Sequence, residues 1–357
     1  MGLNVAVWGT GNVGQPAIRS VLGNDALTLA GVIVANPDKV GRDAAELAGV
    51  DTATGVLATD DRTAVLDAVD AVAYCASGDF RPAEALDDIE RCLRAGTDVV
   101  STSVYPLLHP ASAPPDLHHR LTEACRAGDS SCFVSGIDPG WAFDILPLLV
   151  SGTANRIEQV RVLELFNYAH YDQPAAVREL CGFGGSMDAT PPMLLPTIPT
   201  SVWGGVLRNL ADGLGLTLDR ITEHVERLPL EETIEVDGMG TFDAGSQGAF
   251  RFEVRGHVGD HVPVVVEHIT RITAEAAPDW PRPPAEPGCH RVQIVGDPNI
   301  EVTVTADRGD GDHAAGGNAT AAGRIVNAIP AVRNAAPGLL GPADIAAVTG
   351  RGLFDLG

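Results

Sequence analysis

Basic residues are scarce in this chain. Lys and Arg number 24 against 47 Asp and Glu in 357 residues, a net charge of −23. So acidic a polypeptide lacks the cations that would neutralise nucleic-acid phosphates or hold it to an anionic bilayer, so neither partner is expected. Long apolar runs are missing too. No stretch of 18 apolar residues appears, which excludes a transmembrane helix. No basic leader precedes the first strand-like segment, Asn4–Trp8, so no signal peptide is expected and the cytoplasm is the expected compartment. The six cysteines, at 75, 92, 125, 132, 181 and 289, are scattered with no C-x-x-C pair, and read as reduced thiols. No metal is expected; His118-His119 followed by Cys125 is the nearest approach to a ligand cluster. A G-x-S-x-G elbow and a Walker A loop are likewise absent. What is plentiful is glycine (40) and proline (25), with 45% hydrophobic residues, a composition that suits a loop-rich enzyme with a sizeable core. The length predicts about two domains.

Residues 1–150 alternate between short apolar strands and helices. Val5–Trp8, Leu27–Ala35, Asp70–Cys75, Asp98–Ser101 and Cys132–Ser135 read as strands. Gly14–Leu22, Asp43–Ala48, Pro82–Ala95 and Pro115–Gly128 read as helices. That rhythm predicts right-handed βαβ units and a parallel sheet. After residue 150 the period shortens. Arg156–Phe166, Ile221–Leu228, Phe250–His257, Val262–Thr273, Val292–Val295 and Ile300–Thr305 read as strands of an antiparallel sheet, with a Pro-rich loop over Ala277–Pro287. The expected class is α/β: an N-terminal Rossmann parallel sheet (1–150), an α+β substrate and dimerisation domain (151–318), and a helical segment (319–357) returning to the nucleotide domain. Within that segment Ala319–Asn327 is predicted helical, with a new turn or helix starting at Pro330.

The sharpest motif is Gly9-Thr10-Gly11-Asn12-Val13-Gly14, directly after a strand and opening a helix. In that setting the first glycine permits the tight turn, the second lets backbone approach a pyrophosphate, and the third lets helix and strand pack closely. The helix N-terminus offers free N–H groups to the phosphates. At the end of the second strand, Val34–Arg42 holds no acid at the strand end proper. Asn36, Lys39 and Arg42 are placed to read the adenosine ribose and a 2′-phosphate, so NADP is expected, with NAD as the alternative if Asp38 binds the ribose. Two later strand ends, at Ala76-Ser77 and Thr102, are expected beside the ribose and nicotinamide.

The opening Val7–Gly14, the segment Val34–Leu47, the stretch Gly136-Ile137-Asp138-Pro139-Gly140-Trp141 and the tail Gly323–Pro330 together resemble the dihydrodipicolinate-reductase-like oxidoreductases. That group includes 2,4-diaminopentanoate dehydrogenase and the native amine dehydrogenases. The resemblance spans roughly residues 4 to 340. It implies a homodimer that transfers hydride from NAD(P)H to a C=O or C=N carbon held between two domains, with Asn327 on the nicotinamide side. Amine-forming members carry a Glu just after the strand that ends near the nicotinamide. Here Ser103–His109 follows, and no acid lies between Ser101 and Pro115. Reduction of a carbonyl or a preformed imine is therefore the expected reaction. Amination with ammonia would need another carboxylate, Glu164 or Asp138 being the nearest.

Hydride delivery to a carbonyl needs an acid within hydrogen-bond reach. Tyr105 and His109 in the loop after the strand Asp98–Ser101, and Tyr168 and His170 after the first strand of the second domain, are the candidates. His170-Tyr171-Asp172-Gln173-Pro174 is a loose echo of the His-rich motif of dihydrodipicolinate reductases, but the Lys of that motif is missing. Met193, Leu194, Ile198 and Trp203, in a Pro-rich stretch, suit either an apolar substrate pocket or lid or an ordinary hydrophobic dimer or domain contact. The expected substrate is a small to medium, largely apolar carbonyl or imine. A non-catalytic NADP-binding regulator is the reading from another class. Asp307, Asp310 and Asp312 lack the EF-hand pattern and read as a surface loop.

Overall fold

The computed structural model describes residues 2–78, 81–171, 173–307 and 313–354. Asp310 and Asp312 of the acidic loop, and Asp172 of the His-Tyr-Asp echo, lie outside the described residues. Two compact units form: Met1–Ile137 with Asn318–Gly357, and Asp138–Gly317.

In the first unit, β1 (Leu3–Trp8) leads through the glycine turn into α1 (Gly14–Leu22) and β2 (Leu27–Ile33). Then follow α2 (Ala44–Ala48), β3 (Ala58–Thr59), α3 (Arg62–Leu66), β4 (Ala71–Tyr74), α4 (Pro82–Arg94), β5 (Asp98–Ser101), α5 (Pro115–Gly128) and β6 (Ser131–Val134). The strands are almost wholly buried, as expected of a parallel sheet with helices on both faces. The amphipathic stripe of α4 packs as its spacing predicts: Ala85, Ile89, Cys92 and Leu93 are buried while Arg91 and Arg94 face outward.

The second unit contains α6 (Ile145–Ser151), β7 (Arg156–Asn167), α7 (Ile198–Gly213), β8 (Arg220–Pro229), the small hairpin β9 (Ile234–Val236) and β10 (Gly240–Phe242), then β11 (Gln247–Val258), β12 (His261–Arg271), β13 (Gly288–Asp297) and β14 (Ile300–Val304). Six strands form one sheet in the order β14-β13-β7-β12-β11-β8. The sheet is mixed rather than purely antiparallel, because β7 and β12 run parallel. Those two strands are far apart in sequence and joined by α7 and four further strands, so nothing obliges them to pair as a hairpin. The register aligns Glu164 of β7 with His268 of β12 and with His290 of β13, placing three polar side chains at one level of one sheet face.

The chain then returns to the first unit through α8 (His313–Arg333) and β15 (Gly338–Leu340), which pairs in parallel with β6. The seven-stranded order is β15-β6-β5-β4-β1-β2-β3. Contrary to the sequence expectation, α8 does not stop before Pro330; the proline sits inside its last turn. Ile325, Val326, Ile329 and Val332 are fully buried on the core side of α8, and that burial outweighs the local cost of about 3 kcal/mol for an interior proline. Among the described residues, no helix is long and apolar enough to cross a membrane.

Candidate functional site

The glycine turn has the shape that a dinucleotide requires. Gly9 adopts φ +97°, and a Cβ there would lie 2.9 Å from Ala76 N. At Gly14 a Cβ would strike Gly9 O at 2.0 Å, so helix and strand touch through this residue. At Gly11, by contrast, a Cβ would meet nothing within 4 Å. The outer two glycines are thus fixed by the fold, and the middle one faces open space where a phosphate could approach. Thr10, Asn12 and Val13 complete the turn. Thr10 accepts from Lys39 Nζ through both its carbonyl (3.1 Å) and its hydroxyl oxygen (2.9 Å). Lys39 is the single lysine of the chain, and it lies against the glycine turn. Its neighbours are engaged locally. Asn36 Oδ1 accepts from Asp38 N at 3.0 Å, capping a short 3-10 turn, and Arg42 pairs with Glu46 at 2.8 Å.

Beyond β4, Ser103 Oγ donates to Ala76 O at 2.6 Å, tying the Ala76-Ser77 turn to the end of β5. Thr102 lies between Ser101 and Ser103, whose side chains brace that strand end. Val104, next in sequence, is held at φ 68°, a left-handed conformation that a β-branched residue rarely takes. Tyr105 and His109 follow in 3-10 turns, with His109 Nδ1 2.8 Å from Ser112 Oγ.

Asn327 requires a correction. Its Oδ1 accepts from Asn24 Nδ2 at 3.2 Å, and Asn24 lies in the connection from α1 to β2, at the amino-terminal edge of the sheet. The glycine turn is at the opposite edge, so Asn327 does not flank the nicotinamide. Helix α8 runs downward past the sheet. Arg324 donates to Ser135 just beyond β6 (3.3 Å), while Arg333 pairs with Asp98 at the start of β5 (3.2 Å). Arg324 is therefore the side chain of α8 that reaches the carboxyl edge.

The second unit holds a buried ionisable cluster. His268 stands between two carboxylates, with Nε2 3.2 Å from Asp138 Oδ2 and Nδ1 3.4 Å from Glu164 Oε1. His290 Nε2 lies 3.9 Å from the same Asp138 oxygen. Trp203 Nε1 donates to Asp138 Oδ1 at 2.7 Å, and the Tyr168 hydroxyl donates to Glu164 Oε1 at 3.1 Å. Phe252 stacks on the His268 ring at 4.7 Å and 9°, and Phe143 meets it edge-on. Asp138 Oδ2 and His268 Nε2 are buried without an aligned hydrogen bond among the described residues, although they face each other at ion-pair distance.

Burial opposes every charge here, and the pairings decide which survive. For His268, desolvation works against the cation, but the Asp138 and Glu164 charges overcome it and raise the imidazole to about 10. Burial also works against the Glu164 anion, yet the charge and hydrogen bond of His268 hold its carboxyl down at about 2. Asp138, although it faces the same imidazole, is raised by burial, with Glu164 adding to the effect. Burial lowers His290, which is therefore the neutral ring of the pair. Burial and then Glu164 push the Tyr168 hydroxyl well above its usual range. Two carboxylates with pKa values driven apart are the arrangement that separates a fixed anion from a proton carrier. Asp138, Glu164 and His268 also place one ligand atom each within 4.8 Å of one another, close enough for a metal ion. The imidazolium already bridges both carboxylates, which supplies the compensating charge without one.

Of the four candidate acids, the structure brings only Tyr168 into this cluster. His170 is exposed at the end of its turn. Tyr105 and His109 belong to the other unit. His268 and His290 escaped the sequence reading because each is a lone histidine in an apolar strand; only the cross-strand register with Glu164 reveals them.

The chain is 51% identical over 345 residues to an amine dehydrogenase from Streptomyces virginiae, covering 96% of each. The chain belongs to the amine dehydrogenase family. It is an NAD(P)-dependent oxidoreductase. No family model matches it. Solved structures agree on the fold: the amine dehydrogenase of Mycobacterium smegmatis superposes with a TM-score of 0.78 at 21% identity, covering 99% of this chain and 98% of that one. Biliverdin reductase from Synechocystis, solved with biliverdin and NADP+, gives 0.51 at 13% identity over 92% of this chain and 90% of the other.

Proposed function

We propose that this oxidoreductase is a reductive aminase, converting a ketone or aldehyde, ammonium and NADPH into a primary amine, water and NADP+. The observation that carries this reading is the Asp138–His268–Glu164 bridge, two buried carboxylates on one imidazole at 3.2 and 3.4 Å. It answers the missing acid after β5. The carboxylates named from sequence as the nearest substitutes, Glu164 and Asp138, meet in one cluster. The amine dehydrogenase kinship supports the same choice over simple carbonyl reduction.

When bound, the dihydronicotinamide supplies the hydride. The glycine turn, with Gly11 open to solvent, would hold its pyrophosphate, and Lys39 its adenosine side, which favours NADP. Ala76, Ser77 and Thr102 would line the ribose and nicotinamide half. In the second unit, Glu164 stays ionised throughout the working pH range and balances the positive nitrogen, first as ammonium and then as iminium. Asp138, whose carboxyl is the easier to protonate, takes a proton from the bound ammonium so that ammonia can attack the carbonyl carbon, and returns it to the departing water. His268 keeps one charge between them and fixes their spacing. With His268 protonated and both carboxylates ionised, the cluster carries a net −1, a charge that selects a cationic nitrogen. Trp203, Phe143 and Phe166 around it favour an apolar substituent on the carbonyl carbon. The resemblance to dihydrodipicolinate-reductase-like enzymes supports a homodimer as the working assembly.

The test is NADPH oxidation across a panel of ketones and aldehydes, with and without ammonium at pH 8 to 9. Oxidation is expected only when both are present, with amine recovered in equal amount. Oxidation at the same rate without ammonium would leave carbonyl reduction as the function.

A further inference from the structure

Beside the glycine turn lies an arginine-lined cavity that the sequence did not single out. A cavity of about 140 Å³ opens between Trp8, the last residue of β1, and Ala35, just past β2. Its walls carry three arginines from three different elements: Arg62 opening α3, Arg81 before α4, and Arg91 within α4. Three of the chain's 24 cations line this one small cavity beside three carboxylates, so its formal charge is balanced in a chain of net charge −23. The Arg62 guanidinium lies over the Trp8 ring at 5.3 Å and is steadied by Asp88 at 3.0 Å, whose other oxygen accepts from Tyr74 OH at 3.3 Å. One guanidinium plane is thus fixed in place before any ligand arrives. Three carboxylates of α4 share the wall, Glu84, Asp87 and Asp88; Asp87 is drawn to Arg120 and Asp88 to Arg62, which leaves Arg81 and Arg91 facing Glu84.

The position matters as much as the charge. The cavity lies at the carboxyl edge of the sheet, with the glycine turn beginning one residue after Trp8 and the 3-10 turn of Asn36 beginning one residue after Ala35. In a doubly wound sheet the adenosine half of a dinucleotide lies outward from the glycine turn towards the end of the second strand. Arg42, expected from sequence to pair with the 2′-phosphate, is not among the residues lining this cavity, and it pairs with Glu46 on the exposed surface.

We infer that Arg62 and Arg81 clamp the adenosine 2′-phosphate end of NADP, and that this pair, more than Arg42, sets the preference for NADP over NAD. The planar, pre-fixed Arg62 offers a stacking face and a fork of donors, and Arg81, exposed at the rim, offers a second charge. This inference rests on the dinucleotide reading above.

Calorimetric titration of the full chain with NADPH, NADH, 2′,5′-ADP and 5′-ADP separates the possibilities without requiring turnover. Arg62→Ala and Arg81→Ala are each expected to weaken NADPH and 2′,5′-ADP at least tenfold, while NADH and 5′-ADP change less than twofold. Arg42→Ala is expected to leave the ratio within twofold. Because Arg62→Ala also leaves the buried Asp88 without its partner, the exposed Arg81→Ala is the decisive variant if the first is poorly folded. Equal weakening of both nucleotide classes would make the cavity an adenine seat and overturn the phosphate assignment; unchanged affinities would overturn it as well. If the unmodified chain binds none of the four, the dinucleotide reading itself fails.

Discussion

The decisive residue here is a histidine. His268 has both ring nitrogens against carboxylates and three aromatic side chains around it, and the carboxylates retain its proton up to about pH 10. The direction of the linkage follows. A folded-state pKa raised above 6.5 means stabilisation that is fully present below pH 6.5 and disappears as pH climbs towards 10. Glu164, held down at about 2, contributes on the other side: its stabilisation is present above pH 4.5 and is lost as pH falls towards 2. His268→Gln removes the cation from between two buried acids and is expected to cost about 3–5 kcal/mol. Thermal unfolding of both proteins from pH 6 to 10 checks this. The unmodified chain should lose stability across that interval while the variant, already destabilised, stays nearly flat. Parallel curves would mean that His268 is neutral in the fold.

At the scale of single elements, the turn between β1 and α1 makes the cleanest distinction between folding and binding. Gly14→Ala drives a methyl group into the Gly9 carbonyl, so strand and helix must separate; both thermal stability and nucleotide affinity should fall. Gly11→Ala meets nothing in the protein and should leave the melting temperature within about 2 °C, yet reduce nucleotide binding more than a hundredfold by obstructing the phosphates. Differential scanning fluorimetry together with nucleotide titration reads both quantities. Equal effects of the two substitutions would deny Gly11 its role. This turn was legible in the sequence because its chemistry is local, as were the buried stripe of α4 and the alternation of β7. Helix α8 was legible only in part. Pro330 reads as a stop, and only burial of Ile329 and Val332 in the unit's core shows why the helix continues.

For the molecule as a whole, the class, the nucleotide-binding half and the shortage of cations could be read from one sequence, whereas the ionisable cluster could not. Asp138, Glu164, His268 and His290 come from segments up to 152 residues apart, and a parallel pairing of β7 with β12 is what aligns them. The sequence supplied Glu164 and Asp138 only as carboxylates near the right strand ends; it gave no reason to pair them. Asn327 failed for a related reason, since position along a helix says little about which edge of a sheet it reaches. The central claim is that this cluster holds the substrate nitrogen. It is tested most directly by the apparent KM for ammonium in Glu164→Gln, measured at saturating ketone and NADPH. The account predicts a rise of about a hundredfold or more with NADPH affinity unchanged, on the scale of removing one preorganised electrostatic partner. An ammonium KM within twofold of the unmodified enzyme would contradict it.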